Sequence, residues 1–274
     1  MAVTEVRLGA EHLAGCVALS AAAGWNQNAA DWRLMLELGE GWGLQLRDGT
    51  LVASTLVIPY GSFAWVSMVL VLPGHRRKGY ASQLLRVALA ALARASLTPV
   101  LDATPAGREV YRQEGFRDTW GFKRFVVQRR AQQPASSRVR ALREADWPWI
   151  LELDRAAFGG SRGPLLRSLA TRLPVAALVV EGEGFLFGRD GREAAQLGPL
   201  VAASAATAQS LFKTALAQAW GPLYLDIADH AVLPPEGLAE QRSFTRMVHG
   251  PVHGSVLAPG DRTKVFLVAG PELG

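Results

Sequence analysis

The stretch Arg76-Arg77-Lys78-Gly79-Tyr80-Ala81 decides the fold of this chain through its two flanks. Before it, Trp65-Val66-Ser67-Met68-Val69-Leu70-Val71-Leu72 is apolar, rich in β-branched residues and closed by Pro73-Gly74, which reads as a strand entering a turn. After it, Ser82 to Ala93 places Leu84, Leu85, Ala88, Ala91 and Leu92 on one face at helical spacing. The order is strand, basic glycine-containing loop, helix. The first turn of a helix presents unpaired backbone N–H groups and partial positive charge, so an anion held there gains several hydrogen bonds at once. Gly79 permits unusual φ and close backbone approach, Ala81 and Ser82 keep the turn small, and Arg76, Arg77 and Lys78 add charge at its mouth. A basic loop on an ordinary strand–helix unit is the plainer alternative.

The string resembles the acyl-CoA pyrophosphate loop of the GNAT superfamily of N-acetyltransferases, Q/R-x-x-G-x-G/A, with Arg76, Gly79 and Ala81 at the matching positions. Tyr111-Arg112-Gln113-Glu114-Gly115-Phe116 resembles the family's Y-x-x-x-G-F and follows in the usual order and at about the usual separation. The resemblance covers roughly residues 3 to 128. It implies acetyl-CoA as cosubstrate, no metal, and a direct attack of an amine on the thioester. It further implies that the strand ending at Val71 and the one ending near Asp102 splay apart, so that backbone groups of Val69, Leu70 and Val71 hold the pantetheine arm. An N–H near Leu70 or Val71 would polarise the carbonyl oxygen. The diphosphate would lie on Arg76, Arg77, Lys78, Gly79, Tyr80, Ala81 and Ser82. Tyr111 would protonate the leaving thiolate; a phenol, with an ordinary pKa of about 10 against about 8.5 for a thiol, stays protonated at neutral pH. The alternative for Tyr111 is a core aromatic anchoring its helix. Where many members carry Asn seven residues before the tyrosine, this chain has Thr104, which puts one hydrogen bond to the cosubstrate in doubt.

At 274 residues the chain is long enough for one large domain or two ordinary ones. Apolar residues at 49% supply a core, and only 19% charged residues argue against disorder. The first fifteen residues lack a basic head followed by an apolar run, and no stretch reaches about 18 uninterrupted apolar residues. A soluble cytoplasmic protein without a membrane partner is expected. A single cysteine, Cys16, excludes an internal disulfide; its apolar helical surroundings favour a core thiol over a nucleophile. The net charge of +5 admits nucleic acid, yet the densest basic cluster, His75 to Lys78, has a local use and no lysine tract appears, so no nucleic-acid partner is expected.

In chain order, Val3 to Leu8 reads as a strand, Glu11 to Ala22 and Ala29 to Leu38 as helices, and Trp42 to Arg47, Leu51 to Tyr60 and Phe63 to Leu72 as three antiparallel strands. Between the two helices, Trp25 and Asn26 fall where the family commonly borders its acceptor, so both are candidate substrate contacts; for Trp25 a lid on the core is the alternative. Thr98 to Asp102 is a short strand. Thr104-Pro105 caps a helix that runs to about Glu114 and stops at Gly115, and Arg117 to Gln128 suits one or two closing strands. Asp102, at the C-terminal end of its strand, is a candidate for binding or catalysis, with capping of the next turn as the alternative. No single general base is assignable: Asp102, Asp31, Glu37 and Glu40 all qualify.

Ala131 to Ser137 is polar and carries Pro and Ser, which marks a linker. The chain then starts over. Val139-Arg140 parallels Val6-Arg7, and Tyr224-Leu225-Asp226-Ile227-Ala228 parallels Val100 to Thr104, a diverged repeat. In place of the basic loop stands Gln196 to Ser204, without Arg or Lys and with Ser204 capping a helix from Ala205; Gln241-Arg242-Ser243-Phe244 stands for the tyrosine motif. Gly198-Pro199-Leu200-Val201-Ala202, with the later Leu225-Asp226 and Arg246 to Gly250, is similar to a C-terminal domain fused to some bacterial GNAT enzymes. His230, His249 and His253 with Asp226 and Asp229 match no standard metal spacing. The expectation is an α/β (α+β) protein of two tandem GNAT-like domains, each a mixed, mostly antiparallel sheet flanked by helices. Residues 1–130 carry the acyl-CoA site, 131–137 link, and 138–274 form a diverged domain that does not bind CoA. The function implied is acetyl transfer to a small-molecule primary amine; a non-catalytic acyl-CoA-binding or interaction protein is the alternative. For the second domain, walling the acceptor pocket, self-association as a homodimer and binding a regulator all stay open.

Overall fold

Amphipathic helices alternate with strands that are apolar on both faces, so a sheet covered on either side is the arrangement that buries them. The structure is a computed structural model and describes residues 2–127, 136–233, 238–250 and 257–274. The first half runs β1 (Thr4–Leu8), α1 (Leu13–Ala22), α2 (Ala29–Leu38), β2 (Glu40–Gln45), β3 (Leu51–Pro59), β4 (Phe63–Val71), α3 (Tyr80–Arg94), β5 (Thr98–Ala103), α4 (Pro105–Gln113) and β6 (Phe116–Val127). The second runs β7 (Arg140–Ala141), α5 (Trp147–Phe158), α6 (Gly163–Arg172), β8 (Leu178–Val180), β9 (Gly184–Arg189), β10 (Ala195–Ala202), α7 (Ala205–Gln218), β11 (Leu223–Ala228), β12 (Leu238–His249) and β13 (Val265–Leu267). The expected linker lies outside the described residues except for Ser136 and Ser137.

The helix caps form as their residue types dictate. Thr104 Oγ1 accepts from the Gly107 N–H at 3.2 Å with Pro105 at the first helical position, and Gly115 ends α4 at φ +94°. Ser204 Oγ likewise accepts from the Thr207 N–H at 3.2 Å and starts α7. Residues 116–127 form one long strand rather than two.

The two halves share one sheet of 13 strands, ordered β1-β2-β3-β4-β5-β12-β6-β11-β13-β10-β9-β8-β7. Only β4–β5 and β10–β11 are parallel. The halves exchange strands at the centre: β12 of the second half lies between β5 and β6 of the first, and β6 lies between β12 and β11. Each of these 12-residue strands would otherwise present an open edge, and interleaving gives both of them two partners. Gln241 to Phe244, expected to replace the tyrosine motif, therefore sits inside a central strand, and no helix follows β11 among the described residues.

Helices α1, α2, α5 and α6 cover one face over a core common to both halves, in which Leu19, Trp32 and Met35 join Ile150, Leu166 and Leu169. On the other face α3 packs Leu84, Leu85, Ala88 and Leu92 onto the first half, and α7 packs Ala208, Leu211, Phe212 and Ala215 onto the second. Cys16 is fully buried in the common core, and burial pushes its thiol up to about 12, as suits a packing residue.

Candidate functional site

The site begins where two parallel strands separate. β4 and β5 pair only at Phe63–Thr98, Ala64–Pro99 and Trp65–Val100. Beyond Trp65, β4 bulges: its register against β3 shifts between Ser54 and Leu56, and Met68 takes φ +52°. On its other edge β5 pairs with β12 from Val100 to Ala103, and its pairing with β4 is not resumed. Among the described residues, the edge of β4 from Val66 to Val71 is thus left without a strand on the β5 side, and Val69, Leu70 and Val71 lie along it.

At the end of this edge the chain turns through the basic loop into α3. Gly79 takes φ +78°, a left-handed conformation that favours glycine, and a Cβ there would meet nothing within 4 Å. Gly79 offers no side-chain cap, and the first backbone bond is Gln83 N–H to the Gly79 carbonyl at 2.9 Å. The N–H groups of Gly79, Tyr80, Ala81 and Ser82 accordingly have no backbone acceptor among the described residues. Arg76, Arg77 and Lys78 are exposed around them.

Tyr111 lies in the last turn of α4 and lines the cleft between the parted strands, which has about 600 Å³ of empty space with its mouth included. Its ring rests edge-on against Phe116 at 5.9 Å and against Gly107, where a Cβ would come within 3.0 Å of the ring. No hydrogen bond engages its hydroxyl among the described residues, and burial pushes the phenol up to about 12, so it holds its proton throughout the neutral range.

The acceptor-side candidates separate. Trp25 lines the cleft. Asn26 faces away: its amide donates to the Ala194 carbonyl at 2.9 Å and accepts from the Glu193 and Ala194 N–H groups at 2.8 and 3.1 Å, stitching the halves together. Its neighbour Gln27 lines the cleft instead. Asp102 also borders the cleft, but both its oxygens accept from Arg246 at 3.0 Å. Arg246 is itself clamped between the rings of Trp65 and Trp120 at 4.5 and 4.3 Å. Burial pushes the Asp102 carboxyl up against the opposing pull of Arg246. Of the other acidic candidates, Asp31 is fully buried and bonded to Arg172 and Arg189 at 2.6 and 2.8 Å, away from the cleft lining.

The second half supplies much of the wall: Tyr224 from β11, Gln241, Arg242 and Phe244 from β12, and Pro271 and Glu272 from the segment after β13. Arg124 pairs with Asp226 at 2.8 and 2.7 Å over the rings of Tyr224 and Phe244. Trp65 Nε1 donates to the Pro271 carbonyl at 3.0 Å and the Tyr60 hydroxyl to the Leu273 carbonyl at 3.1 Å, which fixes that segment against the first half. Position in sequence gives no hint of these residues, because they reach the cleft only through the strand exchange. Trp65 and Tyr60 are read from sequence as strand residues alone.

The corresponding place in the second half is closed. β10 and β11 pair at Ala195–Leu223, Gln196–Tyr224 and Leu197–Leu225 and then part, with β10 slipping register after Leu197. β13 fills the gap, with Leu267 opposite Leu200 on one side and Ile227 on the other. The helix beyond, α7, is capped by its own Ser204.

Strands parted at their C-terminal ends, beside a bare helix N-terminus, form a cleft that suits a phosphate-bearing ligand. Two family models described as "Acetyltransferase (GNAT) domain" match this chain, one over residues 42–118 and one over 150–258. The chain is 24% identical over 238 residues to the uncharacterized N-acetyltransferase YitH of Bacillus subtilis, covering 83% of each protein. It is 27% identical over 201 residues to a holothin acyltransferase of a Pseudoalteromonas species, covering 71% of this chain and 67% of that one. A solved structure of a protein assigned as an acetyltransferase from Pyrococcus horikoshii superposes over 99% of this chain and 96% of its own, with TM-score 0.82 and 21% identity. The chain belongs to the GNAT acetyltransferase family, with two such domains in tandem, and it is an acyltransferase.

Proposed function

We propose that the chain moves an acetyl group from acetyl-CoA to a primary amine of a small molecule, with both substrates bound together. The observation that carries this reading is the free edge of β4, which runs from the Tyr111 phenol to the bare amides of Gly79 to Ser82. A diphosphate on those amides, with Arg76, Arg77 and Lys78 around it, directs the rest of acyl-CoA along Val69, Leu70 and Val71. A backbone N–H of this edge near Leu70 or Val71 polarises the thioester oxygen as it gains charge. The amine nitrogen attacks the carbonyl carbon, the C–S bond breaks, and Tyr111 gives its proton to the sulfur. Residues 1–130 carry this site. Residues 138–274 bind no acyl-CoA, because β13 occupies the equivalent gap and no cation lies at the head of α7; they wall the acceptor side instead.

No helix of the described residues is long and apolar enough to cross a membrane, and the reading involves neither a membrane nor nucleic acid. The test is thiol release from acetyl-CoA over a panel of primary amines. Amine-dependent release is expected; release no faster than hydrolysis with every amine, in a protein that binds acetyl-CoA by calorimetry, would sink the transfer.

A further inference from the structure

Three side chains in the cleft wall each leave an oxygen without a hydrogen-bond partner among the described residues although they are deeply buried: Gln27 Oε1, Ser67 Oγ and Glu272 Oε2. Their residues are 2%, 7% and 2% exposed. Leaving such oxygens unpaired is expensive in a folded chain, on the order of 1–3 kcal/mol each, more for a charged one. They come from three places, the α1–α2 connection, the β4 bulge and the segment after β13, and their residues all line one cleft.

The charges behind the wall are already matched. Glu272 Oε1 accepts from Arg189, which also holds Asp31 at 2.8 Å and Gln196 at 3.0 Å. Arg172 adds a second bond to Asp31, and Arg124 takes Asp226. Glu272 thus pairs with Arg189 through Oε1, while its other oxygen has no hydrogen-bond partner among the described residues. Elsewhere in the cleft lining the balance is reversed. Arg242 of β12 is half-buried and forms no ion pair or hydrogen bond among the described residues, whereas Arg124 and Arg246 each have a carboxylate. Burial and the neighbouring Arg124 push the Arg242 guanidinium down from its usual range, a situation that an incoming anion relieves.

We propose that Glu272, with Gln27 and Ser67, seats the acceptor's amine and takes its proton, and that Arg242 holds a carboxylate of the same small molecule, so that the substrate is an amino acid in the broad sense. This deepens the acyl-transfer reading and rests on it. Three acceptor oxygens match the three N–H donors of an ammonium, and the planar fork of Arg242 matches a carboxylate. Glu272 Oε2 first takes one proton from the ammonium and passes it to water, which frees the nitrogen lone pair; as the neutral nitrogen then bonds to the acetyl carbon, its second proton passes to Glu272 Oε2, and the C–S bond breaks with the Tyr111 proton going to sulfur. The products are the N-acetyl amino acid and free CoA, and proton exchange with water returns Glu272 and Tyr111 to their starting states. The catalytic carboxylate thus comes from the second half and the general acid from the first.

The test compares ω-amino acids of one to five methylenes with their amides, all at saturating acetyl-CoA. For the best chain length, the acid should exceed its amide at least tenfold in kcat/KM. In Arg242→Gln, a substitution that breaks no bond of the folded protein, the two should converge through a rise in KM for the acid. Glu272→Gln, which keeps an acceptor for Arg189, should lower kcat at least a hundredfold with the calorimetric affinity for acetyl-CoA retained. Amides used as well as acids at every length, or a preference that survives Arg242→Gln, overturns the inference while acyl transfer stands. Acetyl-CoA binding with no transfer to either series overturns both.

Discussion

The same sheet parts twice, and the two openings have opposite fates. In the first half β4 and β5 separate beyond Trp65 and no strand of the described residues enters; in the second, β10 and β11 separate beyond Leu197 and β13 closes the gap. The helices that follow differ in step. α3 starts on a left-handed Gly79 with its first amides bare and three cations before it, whereas α7 starts on Ser204, whose own hydroxyl satisfies an amide. The difference teaches that a splayed strand pair is a vacancy a chain must either fill or use. An apolar strand with backbone hydrogen bonds fills it; a flexible acyl-CoA arm with a diphosphate uses it. The segment leaving β13 continues directly into the first half's cleft, so the plug of one opening is the wall of the other.

The largest effect expected from this contrast is at the two helix heads. Gly79→Glu puts a strained residue at φ +78° and a negative charge where the diphosphate belongs, and calorimetry should detect no acetyl-CoA binding. Ser204→Glu adds the same charge at the head of α7 and should leave the affinity and a stoichiometry of one per chain intact. Loss of binding in the second variant, or a wild-type stoichiometry of two, would break the contrast.

The next effect concerns the tyrosine that only the first half carries. Tyr111→Phe keeps the ring against Phe116 and removes the proton donor, so kcat should fall by roughly a hundredfold with acetyl-CoA affinity retained. With burial raising the phenol to about 12, its protonated form is the working one, and loss of that proton begins only as pH approaches that value. The wild-type rate should therefore show no falling limb from this group below about pH 10. An unchanged kcat in the variant would remove Tyr111 from the reaction.

The extent to which the sequence foretells these parts follows from the range of the interactions involved. Strands, helices, the Thr104 and Ser204 caps and the bare loop at Gly79 depend on neighbours within a few positions, and periodicity and capping residues report them directly. The strand exchange does not, since β6 and β12 pair residues more than a hundred positions apart, as in the pair Phe116–His249. The acceptor wall depends on that exchange. For that reason Trp25 could be placed near the cleft by analogy, Asn26 and Gln27 could not be told apart, and Arg242 and Glu272 carry no local signal at all. Asp102 sits at the strand end read for it, but its carboxylate meets Arg246, a residue of the other half.

The smallest effect separates a cap that only stabilises from one that also positions. Ser204→Ala and Thr104→Ala each remove the side-chain acceptor of a helix N-terminal N–H, at 3.2 Å in both cases, Ser204→Ala also losing the bond that Ser204 Oγ donates to Thr207 Oγ1 at 3.0 Å, and each should lower unfolding stability by about 1 kcal/mol. Their consequences for turnover should differ. α7 heads a closed gap, so Ser204→Ala should leave kcat and KM as in the wild type. α4 carries Tyr111 seven residues beyond its cap, and Thr104 itself borders the cleft, so Thr104→Ala should lower kcat several-fold as the phenol loses its fixed height above the β4 edge. Equal kinetic effects from the two variants would mean that the second opening contributes to the reaction after all, and equal absence of effect would mean that packing on Phe116 alone holds the tyrosine in place.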